Sequence, residues 1–470
     1  MRKIVQVSTI AAVAASLVTL PVAQAAGTNL TWRPCGTQEC ATVRVPMDYD
    51  HPGAQQISLA VSRIRTADPK LRRGVLLIIP GGPGNSGLSK PSAVVPRLPK
   101  DVKDRYDIVG FDPRGVGAST PVSCALTPED ADPKTFLPFP APDGDISANV
   151  AKAERVAQAC VRNGGELMRH INTRNEARDI DQIRKALGER KLSYWGTSYG
   201  TYAGATYAQL FPGNTDRVVL DSNDDPNPKL VARQWARNFG VGGEDRFPDF
   251  AAWAAARVGT YDLGSTPAEV RATYMSLAAQ YDRAPTPSIT GNYLRTAMFQ
   301  SMYGDSAFPL LAATLQAAKT GTEPPVFPVP PTDQFQNTMA VSVATVCNDV
   351  AWPRDVSYYQ REVLANRKAY PLTNGMPANI FPCAFWPANP APAVRITPNG
   401  PDNVLLVQNL RDPATPYSGA LKLLDAFGHR ARMVTVNSGG HDSYLANGNA
   451  CGDAAVTDFL VNGTHRTTHC

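Results

Sequence analysis

Charge is scarce in this 470-residue chain. Only 19% of its residues are Asp, Glu, Lys or Arg, and 46 basic against 41 acidic residues leave a net charge of +5. A balance that small, with no basic block, argues against nucleic acid as a main partner. Beyond the first two dozen residues no stretch approaches about twenty uninterrupted apolar residues, so no later membrane span is predicted. No Cys-x-x-Cys pair occurs, which disfavours zinc. The glycine-rich stretch Pro80–Gly87 lacks both the lysine of a phosphate-binding loop and the G-x-G-x-x-G spacing of a dinucleotide site. No metal and no cofactor are predicted. The chain is 43% hydrophobic, enough for a sizeable core, and its length suits two domains or one with a large insertion. Its 41 prolines point to stiffened connections and many element ends.

The N-terminus sets the expected compartment. Arg2-Lys3 precede a run, Ile4 to Val22, that is almost wholly apolar or small, and Ala23-Gln24-Ala25 follows as an A-x-A cleavage pattern. This reads as a secretory signal peptide over residues 1–25, cleaved near Ala25, and predicts a secreted protein. A transmembrane anchor fits less well, because Ser8, Thr9, Ser16 and Thr19 interrupt the run. Eight cysteines follow: Cys35, Cys40, Cys124, Cys160, Cys347, Cys383, Cys451 and Cys470. An even count in an exported chain reads as disulfides, with on the order of a hundred possible connectivities. Sequential pairing is expected, since each neighbouring pair closes a short or moderate loop.

Six short apolar runs read as buried parallel strands: Val75–Ile79, Asp107–Phe111, Leu192–Gly196, Arg217–Asp221, Val404–Val407 and Met433–Val436. Two alternating runs, Ala41–Val45 and Ile57–Ile64, predict an antiparallel start to the sheet. Helical patterns fall at Arg174–Leu187 and from Ser198 to about Leu210. In the first, Arg178, Asp179, Asp181, Arg184 and Lys185 read as a solvated face. Strands alternating with helices predict an α/β fold with a mainly parallel sheet. The pattern breaks between about Asp225 and Arg395, where helix-like segments (Val231–Phe239, Pro267–Tyr281, Tyr293–Tyr303, Ala307–Ala318, Tyr358–Lys368) alternate with Pro-rich connections. The expected organisation is a core over 26–225 with a smaller insertion at about 121–172, a large, mostly helical cap over 226–395, and the rest of the core over 396–470.

Gly196-Thr197-Ser198-Tyr199-Gly200 matches G-x-S-x-G, a sharp strand-to-helix turn that lifts a serine hydroxyl above the sheet. A strand pattern precedes it and a helix pattern follows, so Ser198 is the candidate nucleophile. Such a serine needs a base, and the base an orienting carboxylate, in the chain order Ser, acid, His. Of the histidines after Ser198, His441 lies just beyond a strand end, where it would reach the serine. His429 precedes that strand, and His465 and His469 belong to a tail near Cys470. Asp412 follows the strand Val404–Val407 between prolines and is the candidate acid, whereas Asp402 precedes that strand. The candidate oxyanion donors are the backbone N–H groups of Tyr199 and of Gly82, in the loop after Val75–Ile79.

The motifs PGGPGNSG, GFDPRGVGAST (Gly110–Thr120), GTSYGTYAGATYAQLFP (Gly196–Pro212), RDPATPY and GGHDSY together resemble the secreted bacterial tripeptidyl aminopeptidases of the α/β-hydrolase fold. The resemblance extends to Trp32–Cys35, Val45–Tyr49, Cys347–Asp349 and Cys383–Pro387. One departure is Gln408-Asn409-Leu410-Arg411-Asp412, where a turn such as GELD is expected. By resemblance, Ser198, Asp412 and His441 form the triad of a serine peptidase that releases tripeptides from free N-termini, some members preferring Pro before the scissile bond. Relatives also act as carboxylesterases on small or lipid-like esters. The expected partners are peptides with a free N-terminus. An aminopeptidase needs a carboxylate for the substrate's α-ammonium, and Asp349, held by a Cys347–Cys383 bridge that would fix it and Trp386 over the site, is the expected anchor. Asp221, Asp224 and Asp225 are the alternatives.

Overall fold

Alternate residues of the strand Gly74–Ile79 enter opposite cores: Val75, Leu77 and Ile79 pack into one apolar cluster and Leu76 and Ile78 into another. Both faces of this strand are covered, which is why its sequence is a continuous apolar run rather than an alternation. The computed structural model describes residues 30–132, 137–387, 390 and 392–470, so the predicted signal peptide lies outside the described residues. The strands are β1 (Arg33–Cys35), β2 (Gln38–Pro46), β3 (Gln56–Ile64), β4 (Gly74–Ile79), β5 (Tyr106–Phe111), β6 (Leu192–Thr197), β7 (Thr215–Asp221), β8 (Val404–Arg411), β9 (Ala431–Gly439) and β10 (Thr468–His469). They form one sheet in the order β1-β2-β3-β5-β4-β6-β7-β8-β9-β10. Pairing is antiparallel from β1 through β5 and parallel from β5 to β10. This is the α/β-hydrolase architecture.

The strand order positions the site. β4 has β5 on one side and β6 on the other, so the chain changes direction there, and the loops leaving β4 and β6 diverge. Such a switch point opens a crevice at the carboxyl ends of the strands. Helix Thr173–Ala186 begins at Asn172, whose side chain accepts from the Asn175 N–H, and packs beside helix Tyr199–Leu210 in the larger core.

The presumed solvated face of helix Thr173–Ala186 is solvated only in part: Lys185 is exposed and Arg178 and Arg184 are half-buried, but the two aspartates are buried. Asp179 is 0% and Asp181 3% exposed. Asp179 forms a buried ion pair with Arg114 at 2.6 Å, and Asp181 accepts from Arg184 at 2.8 Å, from Lys185 at 3.1 Å and from Asn214 at 2.8 Å. For Asp179 the partner that makes burial tolerable, Arg114, is distant in sequence, so the helical period alone misassigns it.

Between β7 and β8 the described residues contain helices and no strand. Ala232–Ala255, Pro267–Arg283, Gly291–Ser301 and Phe308–Thr320 share a separate apolar core. The first runs far beyond its expected end at Phe239, with Pro248 inside it. A further helix, Thr332–Asp349, was not expected. Its Met339, Ala340, Val341, Val343 and Ala344 join the larger core. The smaller insertion carries helix Ser147–Asn163. The disulfides are Cys35–Cys40, Cys124–Cys160, Cys347–Cys383 and Cys451–Cys470, each pairing neighbours in sequence as expected. Among the described residues no helix is long and apolar enough to cross a membrane, and no three His, Cys, Asp or Glu gather as metal ligands would.

Candidate active site

Ser198 stands at the end of β6 with φ +56° and ψ −128°, a conformation few non-glycine residues adopt. Steric crowding on both sides explains the glycines of the turn. A side chain on Gly196 would run into the Gly200 carbonyl, and a Cβ on Gly200 would lie 2.5 Å from the Ile79 oxygen. The strained turn is held by the Ser198 N–H, which donates to the Asp221 carbonyl at 3.0 Å, and by the Ser198 carbonyl, which accepts from the Thr201 N–H at 2.8 Å. Strain retained by a surrounding hydrogen-bond frame is a mark of a functional site.

The loop after β4 lies directly on this turn. A Cβ on Gly81 would sit 3.0 Å from Ser198 Cβ. Gly82 has φ +122° and lines the same cavity as Ser198. Tyr199 is the first residue of its helix, so its N–H has no intrahelical partner and is free to donate to an anion. The Tyr199 phenol points away, donating to buried Glu176 at 2.8 Å and lying 2.9 Å from Thr173 Oγ1. Burial pushes the Glu176 carboxyl up to about 8. Neither Glu176 nor Thr173 stands out in the sequence, since each lies in an ordinary helical pattern.

Asp412 is 0% exposed and fully bonded. Its Oδ1 accepts from the Ala414 and Thr415 N–H groups, each at 2.9 Å, and its Oδ2 from the Thr415 hydroxyl at 3.0 Å. The same carboxylate meets His441 Nδ1 at 2.9 Å. Burial by itself lowers the pKa of His441, but the charge and hydrogen bond of Asp412 outweigh it, and with Asp442 and Asp224 they raise the ring to about 9. Among the described residues no hydrogen bond links Ser198 Oγ to the ring. Catalytic hydrogen bonds of this kind are commonly long until substrate binds.

The histidine loop is anchored to the rest of the site through buried polar side chains. Asp221, at the end of β7, accepts from the Ser443 and Tyr444 N–H groups at 2.8 and 2.9 Å. Its backbone oxygen meanwhile holds the Ser198 N–H, so one residue ties both loops together. Asn409 donates to the Gly440 and Asp442 carbonyls at 2.9 and 3.0 Å, and Gln408 accepts from the Asn223 N–H and donates to the Thr415 carbonyl, each at 2.8 Å. The unexpected Gln408-Asn409 pair before Asp412 therefore stitches together the loops carrying the acid, the histidine and Asp224. From the helical insertion, the Tyr303 carbonyl accepts the His441 N–H at 2.8 Å, and the Tyr303 ring meets the imidazole edge to face at 5.2 Å.

Above Ser198 lies a cavity of about 240 Å³. Its walls are mainly apolar and carry several aromatic side chains, including Trp235, Phe239, Trp352, Tyr358 and Phe381, and Asp224 and Arg233 also line it. Asp349 does not. Its carboxylate accepts from the Thr173 N–H at 2.8 Å and the Thr173 hydroxyl at 2.5 Å, behind the nucleophile helix. Trp386 is likewise absent from the cavity wall and donates to Asn348 at 2.8 Å. The Cys347–Cys383 bridge thus joins helix Thr332–Asp349 to the turn Pro382–Phe385 without bringing Asp349 or Trp386 over Ser198.

A family model described as TAP-like protein matches residues 370–470. The chain is 35% identical to the tripeptidyl aminopeptidase of Streptomyces coelicolor, covering 94% of this chain and 86% of the relative. It is 29% identical to the serine protease Hip1 of Mycobacterium tuberculosis, covering 93% and 90%. It is 30% identical to carboxylesterase B of the same organism, covering 91% and 85%.

Proposed function

The chain belongs to the tripeptidyl aminopeptidase family and is a serine hydrolase of the peptidase type; from that premise we propose that it is an exported exopeptidase releasing tripeptides from free N-termini. The observation that carries this reading is the bonded Asp412–His441 pair, whose loop is tied by Asp221 to the strained Ser198 turn under an aromatic cavity.

In the proposed reaction, His441 Nε2 takes the proton of Ser198 Oγ as the oxygen attacks the scissile carbonyl. Asp412 holds the Nδ1–H and stabilises the imidazolium. The negative charge that develops on the carbonyl oxygen meets the N–H groups of Gly82 and Tyr199. His441 then returns its proton to the leaving amine, the C–N bond breaks, and an acyl-enzyme remains on Ser198. A water deprotonated by His441 attacks the ester, the bond from the carbonyl carbon to Ser198 Oγ breaks as His441 returns the proton to that oxygen, and the short peptide leaves with a new carboxyl end.

The insertion over residues 226–395 is proposed to act as a cap that closes the cleft and sets how many residues fit. Aromatic walls suit an apolar residue, proline included, before the scissile bond. Export is supported by the A-x-A pattern near Ala25 and by the disulfides, which persist in oxidising compartments. The same walls also fit the acyl part of a small or lipid-like ester, so carboxylesterase activity with the same triad is the second reading.

A panel of aminoacyl, dipeptidyl and tripeptidyl chromogenic amides, free and N-acetylated, beside a short-chain ester, tests the assignment. The expected result is a preference for the free tripeptidyl amide. Turnover and labelling by a serine-directed phosphonate should both vanish in Ser198→Ala while the protein stays folded. Near wild-type turnover in that variant would overturn the nucleophile, and an ester-only profile would favour the esterase.

A further inference from the structure

Three of the buried carboxylates near the nucleophile and histidine loops have bonded partners. Asp221 holds two backbone N–H groups of the histidine loop. Asp225 accepts from the Asn227 N–H at 3.1 Å and pairs with Lys422 at 2.6 Å. Asp349 is held twice by Thr173. Asp224 differs. Its backbone N–H donates to Thr201 Oγ1 at 3.1 Å, which fixes it beside the nucleophile helix. Yet among the described residues its carboxylate has neither a hydrogen bond nor an ion pair. The residue is 5% exposed and lines the cavity that Ser198 lines.

Among the described residues no cation lies within ion-pair distance of it, although the His441 ring, when protonated, attracts it from further off. Two arginines line the cavity, but Arg237 is engaged by Glu362 and the Tyr358 hydroxyl, each at 2.5 Å, and Arg233 donates to the Ala351 carbonyl at 3.2 Å. Burial pushes the Asp224 carboxyl up to about 8, opposed by the pull of His441. A carboxylate kept in an apolar wall is costly unless a positive group meets it. Aromatic side chains that line the same cavity, such as Trp235 and Phe239, add to its attraction for a desolvated cation.

We propose that Asp224 is the subsite for a protonated amine of the substrate, held in the cavity beside Ser198. This rests on the peptidase reading above. Two sources carry that chemistry: the peptide's own α-ammonium, and a lysine side chain at the residue before the scissile bond. Either would neutralise the Asp224 carboxylate as the acyl group enters.

The test compares kcat/KM for wild type and Asp224→Asn on two matched pairs. One is a tripeptidyl amide, free and N-acetylated. The other is an N-acetylated amide with lysine or norleucine before the scissile bond. Wild type is expected to prefer the cationic member of one pair. Asp224→Asn should cut that preference by at least about 30-fold, the change for losing one partner of a desolvated charge pair. A fall in the first pair assigns the α-ammonium, and a fall confined to the second assigns the lysine side chain. Unchanged ratios in both pairs overturn the proposal, even if all four substrates slow together, because Asp224 would then act only through His441. The same pairs built as nitrophenyl esters read the ratios if no amide is cleaved, so failure of the peptidase reading is seen separately. If the variant does not fold, hexylammonium and hexanol are compared as inhibitors of wild type: tighter binding of the amine supports the proposal, and equal binding overturns it.

Discussion

Replacing Arg114 by methionine should destabilise the protein by about 3–5 kcal/mol, the usual effect of removing one partner from a buried ion pair. The local structure supports that range. The side chains of Arg114 and Asp179 are 1% and 0% exposed. The guanidinium donates to both Asp179 oxygens, at 2.7 and 2.6 Å, and to the Met47 and His170 carbonyls, at 3.1 and 3.0 Å. In the variant Asp179 would keep the Tyr49 hydroxyl at 2.7 Å as its remaining side-chain partner, and three carbonyls, those of Met47, His170 and, at 3.4 Å, Pro46, would lose a donor. Asp179→Leu should be similarly costly, because it strands the arginine. The double variant should cost much less than the two singles combined, since neither charge is then left buried alone. Equilibrium urea unfolding of the oxidised protein, followed by tryptophan fluorescence, gives each value from the midpoint and slope. A loss under about 1 kcal/mol in Arg114→Met, or additive singles in the double variant, would refute the reasoning.

Two further outcomes follow from the site and its surroundings. His441 must be neutral to act as a base, and its pKa is raised to about 9 by Asp412, Asp442 and Asp224 against the effect of burial, with the Tyr303 ring packed on it. Hence kcat/KM on an N-acetylated nitrophenyl ester, which carries no titrating amine, should climb from pH 7 and level off above about pH 9, and Asp224→Asn should move that limb to lower pH; a wild-type limb near the ordinary histidine value would contradict this. Removing the Cys347–Cys383 bridge, whose ends are 36 residues apart, should cost about 4 kcal/mol by the chain-entropy estimate, read as a lower urea midpoint; an unchanged midpoint would contradict it.

Local steric and hydrophobic demands made much of this protein legible in its sequence. The apolar runs of β4 to β9 needed no partner to be recognised, because a strand covered on both faces is apolar at most of its central positions. Gly196 and Gly200 announced the sharp turn that carries Ser198, the proposed nucleophile, because any side chain there meets a backbone carbonyl. Asp412 and His441 could be picked from their places after strand ends, and the structure brings them to 2.9 Å. Helix Thr332–Asp349 was not legible. Its first turns are polar and follow a Pro-rich connection, and its apolar positions acquire a face only against the core and the glycine loop, where a Cβ on Gly84 would lie 2.6 Å from the Thr338 oxygen.

Which acid faces the cavity was likewise beyond the sequence. Asp221, Asp224, Asp225 and Asp349 are chemically alike, and nothing local separates them. Tertiary contacts do. Thr173, 176 residues away, takes Asp349 out of reach. Lys422, 197 residues away, takes Asp225. The histidine loop, 222 residues on, takes Asp221. Asp224 is left at the cavity wall because, among the described residues, no distant segment brings its carboxylate a donor. Backbone conformation and apolar patterning are written in neighbouring residues, so the sequence by itself determined the strands, the nucleophile turn and the order of the candidate triad. The environment of a charge depends on which remote segments pack around it, and only the tertiary structure decided that.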